Sequence, residues 1–232
     1  MKAMCMALLL AVSAGTGAQA TKSAAIPDKA RALPSGLKIT LEKLLPDGKI
    51  QPVASDHVFE PGDTVHFRVT SDFDGFLYVM DQGTSGHYET VFPSSDAGAD
   101  NRVRQGQMFS IPTGATSWFE IGGPAGFDIV YFLLSPTALS TPAASSFAQP
   151  AAPSSLKPRC NDAIFKARGE CTDSNAGPAP LPKTAPLPPP IEPMVPFASR
   201  DIKVVKKQDG VTIAASGNTT TPLIYTFKLA HN

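Results

Sequence analysis

Between Phe59 and Pro93 the chain leaves room for little except short β-strands separated by tight turns. Glu60-Pro61-Gly62-Asp63 suits a type II turn, because proline presets φ at the second position and glycine accepts a positive φ at the third. Val65, Phe67 and Val69 then alternate with His66 and Arg68, the period of two that marks a half-buried strand. Asp72-Phe73-Asp74-Gly75 interrupts that run with an Asp-Gly turn signal. The stretch Phe76 to Met80 is apolar at successive positions, which predicts a central strand covered on both faces. Gly83 and Gly86 bracket the next turn, and Tyr88 to Phe92 returns as a strand stopped by Pro93. The stretch reads as an antiparallel meander.

Further short strands follow at regular spacing. Met108-Phe109-Ser110-Ile111 is ended by Pro112, and Trp118 to Ile121 is the next. After the turn Gly122 to Gly126, Phe127 to Leu134 forms the longest apolar strand and the second central one. Upstream, Leu37 to Leu45 fits a strand with Leu37, Ile39 and Leu41 on one face; as a helix it would be short and poorly capped. No stretch of helical length sustains a 3.6-residue period. The expected class is all-β: an antiparallel, Ig-like β-sandwich or an open barrel.

Several of these pieces follow the pattern of one family. Gly62-Asp63, Val65, Phe67, Asp74 to Val79 (DGFLYV), Val91-Phe92-Pro93, Asn101 to Gly106 (NRVRQG) and Ile111-Pro112 keep its order and spacing. On these residues, roughly 38 to 137, the chain resembles the bacterial extracytoplasmic domain-of-unknown-function family 4384. The first aromatic of the family's GYLYV motif is Phe76 here, a small change for a side chain that packs. The resemblance implies a fold and a compartment, and no reaction.

Residues 1–20 have the anatomy of a secretory signal peptide: Lys2, an apolar run through Val12, and Ala18-Gln19-Ala20 as the cleavage site. The run is shorter than the about 20 apolar residues that a bilayer span needs. Cleavage leaves Thr21 first, so no lipid-bearing cysteine is expected there. The mature chain is expected to be exported, periplasmic or extracellular, with no membrane span. Residues 21–36 read as a mobile leader and 37–137 as the sandwich core.

Residues 138–199 differ in composition. Fifteen of the chain's 23 prolines fall after Ser135, with Ala and Ser between them. Such a segment is expected to bury little apolar surface and to be a largely disordered or polyproline II insertion. Pro186 to Pro189 matches a PxxP ligand, for which a stiff spacer is the preferred reading. Cys160 and Cys171 are the two cysteines left after signal removal, and an oxidising compartment favours their pairing. A loop of that length closed by a disulfide contributes about 3 kcal/mol in the chain-entropy account. A redox or metal role fits poorly, since ten residues separate them and no histidine is near. Residues 200–232 regain strand character, with Leu223, Tyr225, Phe227 and Leu229 on one face, and are expected to complete the sandwich.

The chemistry is less legible. With 20 Lys+Arg against 20 Asp+Glu the formal charge is zero, which argues against nucleic-acid binding. His57, His66, His87 and His231 show no metal-ligand spacing and read as solvated or turn residues. Asp72, Asp74 and Asp81 are the best carboxylate cluster, but the rest of a calcium loop is missing and a turn explains the same letters. No nucleophile elbow, SxxK motif or phosphate loop occurs, so no catalytic, cofactor or metal residue is assigned. Asn218 to Thr220 fits a glycosylation acceptor or a polar turn, and the turn is preferred.

The sequence favours a non-enzymatic module that binds an envelope protein. Its candidate surface is residues 94–105 with Arg102 and Arg104, together with the insertion. The alternative is a glycan or small-ligand domain using Trp118, Phe119, Tyr88 and Tyr131, aromatics for which core packing is the preferred role. A hydrolase whose residues meet only on folding is the remote third reading.

Overall fold

A computed structural model describes residues 35–114, 116–140, 159–160, 171–182, 184–195, 202–206, 211–216 and 220–232. All of them fall in one unit, Ala32–Asn232. The expected signal peptide and most of the expected leader, much of the insertion, and Asn218 and Thr219 of the possible glycosylation triplet lie outside the described residues.

Among the described residues every regular element is a strand, and the strands form two sheets, neither closed on itself. The first sheet runs β14 (Lys203–Lys206), β15 (Val211–Ser216), β1 (Ser35–Leu44), β4 (Thr64–Ser71), β8 (Met108–Ile111). Strands β2 (Ile50–Pro52) and β9 (Phe119–Glu120) add to β1 and β4. The second sheet runs β11 (Arg159–Cys160), β12 (Cys171–Thr172), β3 (His57–Phe59), β16 (Leu223–His231), β10 (Gly126–Ser135), β5 (Gly75–Gln82), β6 (Tyr88–Phe92). Strands β13 (Gly177–Pro180) and β7 (Arg102–Val103) pair with β16 and β5. Only β3 and β16 pair in parallel.

Alternation of side chains along each strand builds the interior. Leu37, Ile39, Leu41, Val65, Phe67 and Val69 of the first sheet face Leu77, Val79, Val130, Phe132, Phe227 and Leu229 of the second. Phe67 spans the layers, its ring centroid 5.1 Å from that of Phe132 and 5.9 Å from that of Phe227. The all-β sandwich expected from the strand pattern is the fold observed.

The meander is not. Strands β4 and β5 belong to different sheets, so Asp72 to Asp74 carry the chain from one layer to the other. Ser71 fixes that crossing: its hydroxyl donates to the Phe73 carbonyl at 2.6 Å and accepts from the Phe73 amide at 3.2 Å. Gly75 permits it, because a Cβ there would lie 2.5 Å from the Ser135 carbonyl oxygen. Of β4, β5 and β6, β5 and β6 alone pair with each other. The expected type II turn has Gly62 at φ 87°, closed by the Asp63 amide donating to the Glu60 carbonyl.

The proline-rich segment also departs from expectation. Its described parts, residues 138–140, 159–160, 171–182 and 184–195, supply three strands of the second sheet and a strap across that sheet's outer face. Outward-facing Tyr78, Met80, Tyr131, Leu133 and Ile224 would otherwise be bare; Ile191, Met194 and Val195 cover them, with Leu181 and Leu187 at the margin. Ile191 is fully buried. Prolines suit this arrangement, since a segment lying flat on a sheet face has no ladder for its amides to join. Successive turns between Pro188 and Val195 anchor its end, and the Tyr78 hydroxyl holds its start by accepting from the Leu139 amide at 2.7 Å. Removing residues 140–198 would therefore uncover the Tyr78, Met80, Tyr131, Leu133 and Ile224 face of the second sheet.

Candidate functional site

Three strands of the second sheet carry the same anomaly. Along β5 the inward positions Leu77 and Val79 are followed by Asp81; along β10, Asp128 precedes Val130 and Phe132; along β16, Leu223, Tyr225, Phe227 and Leu229 are followed by His231. Each strand thus continues its inward phase with a titratable side chain at one end of the sandwich. Because these strands are neighbours, the three groups gather there. Asp81 stands opposite Val130, and Asp128 opposite Leu229.

A cleft of about 590 Å³ opens between the sheets at this end. Its apolar floor is Val65 and Phe67 of the first sheet with Val130 and Leu229 of the second. The chain from Thr116 to Ile121 forms one wall, including Trp118 and Phe119. Glu89, Thr90 and Val91 of β6 and the loop Ser94 to Ala97 form the other. The Ser94 hydroxyl shapes that loop by donating to the Val91 carbonyl at 2.9 Å and accepting from the Ala97 amide at 3.0 Å.

The cleft is acidic. Asp81, Glu89, Asp96, Glu120 and Asp128 line it, and among the described residues no lysine, arginine or histidine does. Glu89 is the direct cross-strand partner of Asp81. Asp81 Oδ1 is buried without a hydrogen-bond partner. Burial, and then the charges of Asp128 and Glu89, push the Asp81 carboxyl well above the usual carboxylate range. Asp128 has partners: its Oδ1 accepts from the Thr84 amide at 2.9 Å and lies 3.4 Å from His231 Nε2. Gly126 makes room for Thr84, whose methyl would lie 2.7 Å from a Cβ at that position. The contact with Asp128 pushes the His231 imidazole upward against the opposing effect of burial. His231 is fully buried behind Asp128 and does not line the cleft.

A second polar cluster lies on the outer face of the first sheet. Glu42, buried, accepts from Arg68 at 2.9 Å and meets His66 Nε2 at 2.5 Å. Trp118 caps the pair, its ring stacked on His66 at 4.1 Å and 10°. The outward phase of His66 is as the sequence predicted, but neither His66 nor His57 is solvated. His57 sits edge-on to Phe59, and burial with the nearby Lys43 charge lowers its pKa to about 4. His87 is exposed.

The residues singled out from sequence do not converge. Trp118 reaches the cleft, half-buried, as does half-buried Phe119, which packs against the core. Tyr88 and Tyr131 lie on the opposite face of the second sheet, with ring centroids 6.3 Å apart beside the strap. Arg102 stands over the Phe76 ring at 5.6 Å, and Arg104 is exposed. Asp72 and Asp74 precede β5 while Asp81 is near its far end, a separation of about 20 Å at strand rise. Cys160 and Cys171 are register partners in β11 and β12. Among the described residues no three His, Cys, Asp or Glu side chains converge to hold a metal ion, and no helix is long and apolar enough to cross a membrane.

Residues 58–138 match the family model of a domain of unknown function (DUF4384), in line with the resemblance read from the motifs. The matched span runs from β3 to just past β10, so β1, β14, β15 and β16, which fill out both sheets, lie outside it. No curated protein and no solved structure matches the chain.

Proposed function

We propose that this chain is an exported, non-enzymatic β-sandwich module that docks a cell-envelope protein in the cleft between its sheets. The observation that carries the reading is the cleft itself: an open site with an apolar floor and a ring of carboxylates, in a fold whose second sheet has its outer apolar face covered by the strap. Export is supported by the signal-peptide anatomy of residues 1–20. The facing positions of Cys160 and Cys171 support a disulfide that clips β11 to β12. The test uses mature protein from Thr21 onward as bait for envelope proteins, beside Thr116→Trp, which fills the cleft mouth from an exposed position. One defined envelope protein retained by the native chain and lost with Thr116→Trp supports the reading. Equal capture by both proteins places any partner elsewhere and refutes it.

One observation favours a second reading. A carboxyl pushed upward by burial beside a second carboxyl is a feature of acid–base pairs in hydrolases, and Asp81 beside Asp128 has that form. Under this reading Asp81→Asn abolishes turnover of a glycoside or ester panel. The glycan reading is weakened by Trp118, one face of which is occupied by His66.

A further inference from the structure

The charges around the cleft are unbalanced in a way that specifies what enters it. Acidic groups face it from five of the surrounding elements: Asp81 from β5, Glu89 from β6, Asp128 from β10, Asp96 from the loop after β6, and Glu120 from β9. Among the described residues that line it none is basic; His231 on β16 lies behind Asp128 at 3.4 Å and is sealed from the cleft. Like charges placed opposite one another across strands repel, and Glu89 is directly opposite Asp81. The buried Asp81 Oδ1 meanwhile lacks a donor. An unpaired buried acceptor is costly, and a donor brought by a ligand removes that cost. The floor of Val65, Val130 and Leu229 suits methylene groups, with Phe119 and Trp118 beside it.

We infer that the cleft is a receptor for one organic cation, the ammonium or guanidinium end of a lysine or arginine side chain presented by the docked partner. A long aliphatic stem with a charged tip matches an apolar floor with a carboxylate ring. A divalent ion fits less well, because no three carboxylates converge on one point. The inference rests on the reading that the cleft is the docking site, and it adds the chemistry of the occupant.

The chain's single tryptophan lines the cleft and serves as the reporter. Blocked tripeptides Gly-Lys-Gly, Gly-Arg-Gly and Gly-norleucine-Gly are titrated against the native chain by Trp118 fluorescence and calorimetry, with butylammonium as a free-cation arm. Saturable binding of the Lys or Arg peptide is expected, about tenfold or more tighter than the norleucine peptide. It should weaken steadily with added salt. Glu89→Gln, at an exposed position, and Asp81→Asn should each weaken it by about tenfold while leaving the β-sheet spectrum unchanged. Butylammonium binding as tightly as the peptides would assign the site to free amines rather than to a partner's side chain. Norleucine binding equal to lysine, no titration by either cationic peptide, or no effect of Glu89→Gln overturns the inference. The docking reading is judged separately. If cleft-dependent capture of an envelope protein persists while cationic peptides fail, the inference falls alone; if the peptides bind and capture fails, the partner reading falls.

Discussion

Replacing Ile191 with alanine separates a docked strap from a loose one. Ile191 is fully buried against Tyr78, Met80, Tyr131, Leu133 and Ile224. The substitution removes three carbons from that contact, about 2.5 kcal/mol at about 0.8 kcal/mol per buried methylene. Incomplete collapse of the resulting cavity raises the expected loss to about 3 kcal/mol. In a urea titration with a slope near ~2 kcal/mol/M, the unfolding midpoint moves down by about 1.5 M. Ile50→Ala is the matched control, since Ile50 is 48% exposed, and exposed sites change stability by about 0.5 kcal/mol or less. Both variants are made in the chain from Thr21 onward under the same buffer and redox conditions. If Ile191→Ala shifts the midpoint no more than Ile50→Ala, the strap does not cover the second sheet.

Three further outcomes follow from the geometry. The Asp81 carboxyl is held well above its ordinary 3.8, so it costs nothing below that pH, where both states are protonated, and stability falls as pH rises through the folded-state value. Asp81→Asn removes that fall and is expected to raise stability at neutral pH by about 1 kcal/mol, the scale of two relieved like-charge contacts, measured by urea unfolding across pH. His57 behaves in the opposite sense: its stabilising contribution is complete above 6.5 and is lost as pH falls toward 4, and His57→Gln should flatten that limb, which spans about 3 kcal/mol. Gly75→Ala should destabilise by about 1–3 kcal/mol in the same assay, because its Cβ meets the Ser135 carbonyl at 2.5 Å and backbone has little room to move.

The strands were legible because their alternation is strong, and β1, β4, β5, β6, β8 and β10 lie where the apolar pattern put them. The layer change between β4 and β5 was not. Asp72 to Gly75 carries the same letters as a hairpin turn, and only the approach of Gly75 to Ser135, sixty residues away, distinguishes the two. The strap was hidden for a different reason: prolines signal extended backbone, and extended backbone is read as loose unless something needs covering. The need was visible in Phe76 to Met80, which is apolar on both faces and so requires a second cover. The cleft left a signal too. Asp81, Asp128 and His231 each continue the inward phase of an apolar strand, a position where a charged group is expensive unless it has a use. Reading each histidine and aspartate by its own motif, rather than by strand phase, obscured it.

The place of β16 bears on how the chain is made. This strand pairs with β10, β13 and β3, and contributes four side chains to the inner core. It follows every one of those neighbours in the chain, and its contact with the earliest is long: Asn232 donates to Glu60 across 172 residues. During vectorial synthesis the second sheet therefore stays split, its β10 edge and its β3 edge apart, until residues 223–231 emerge. Pairings so distant in sequence close slowly. Closure of the second sheet, and the burial of Leu223, Tyr225, Phe227 and Leu229 between the layers, therefore wait until every other described strand has been made.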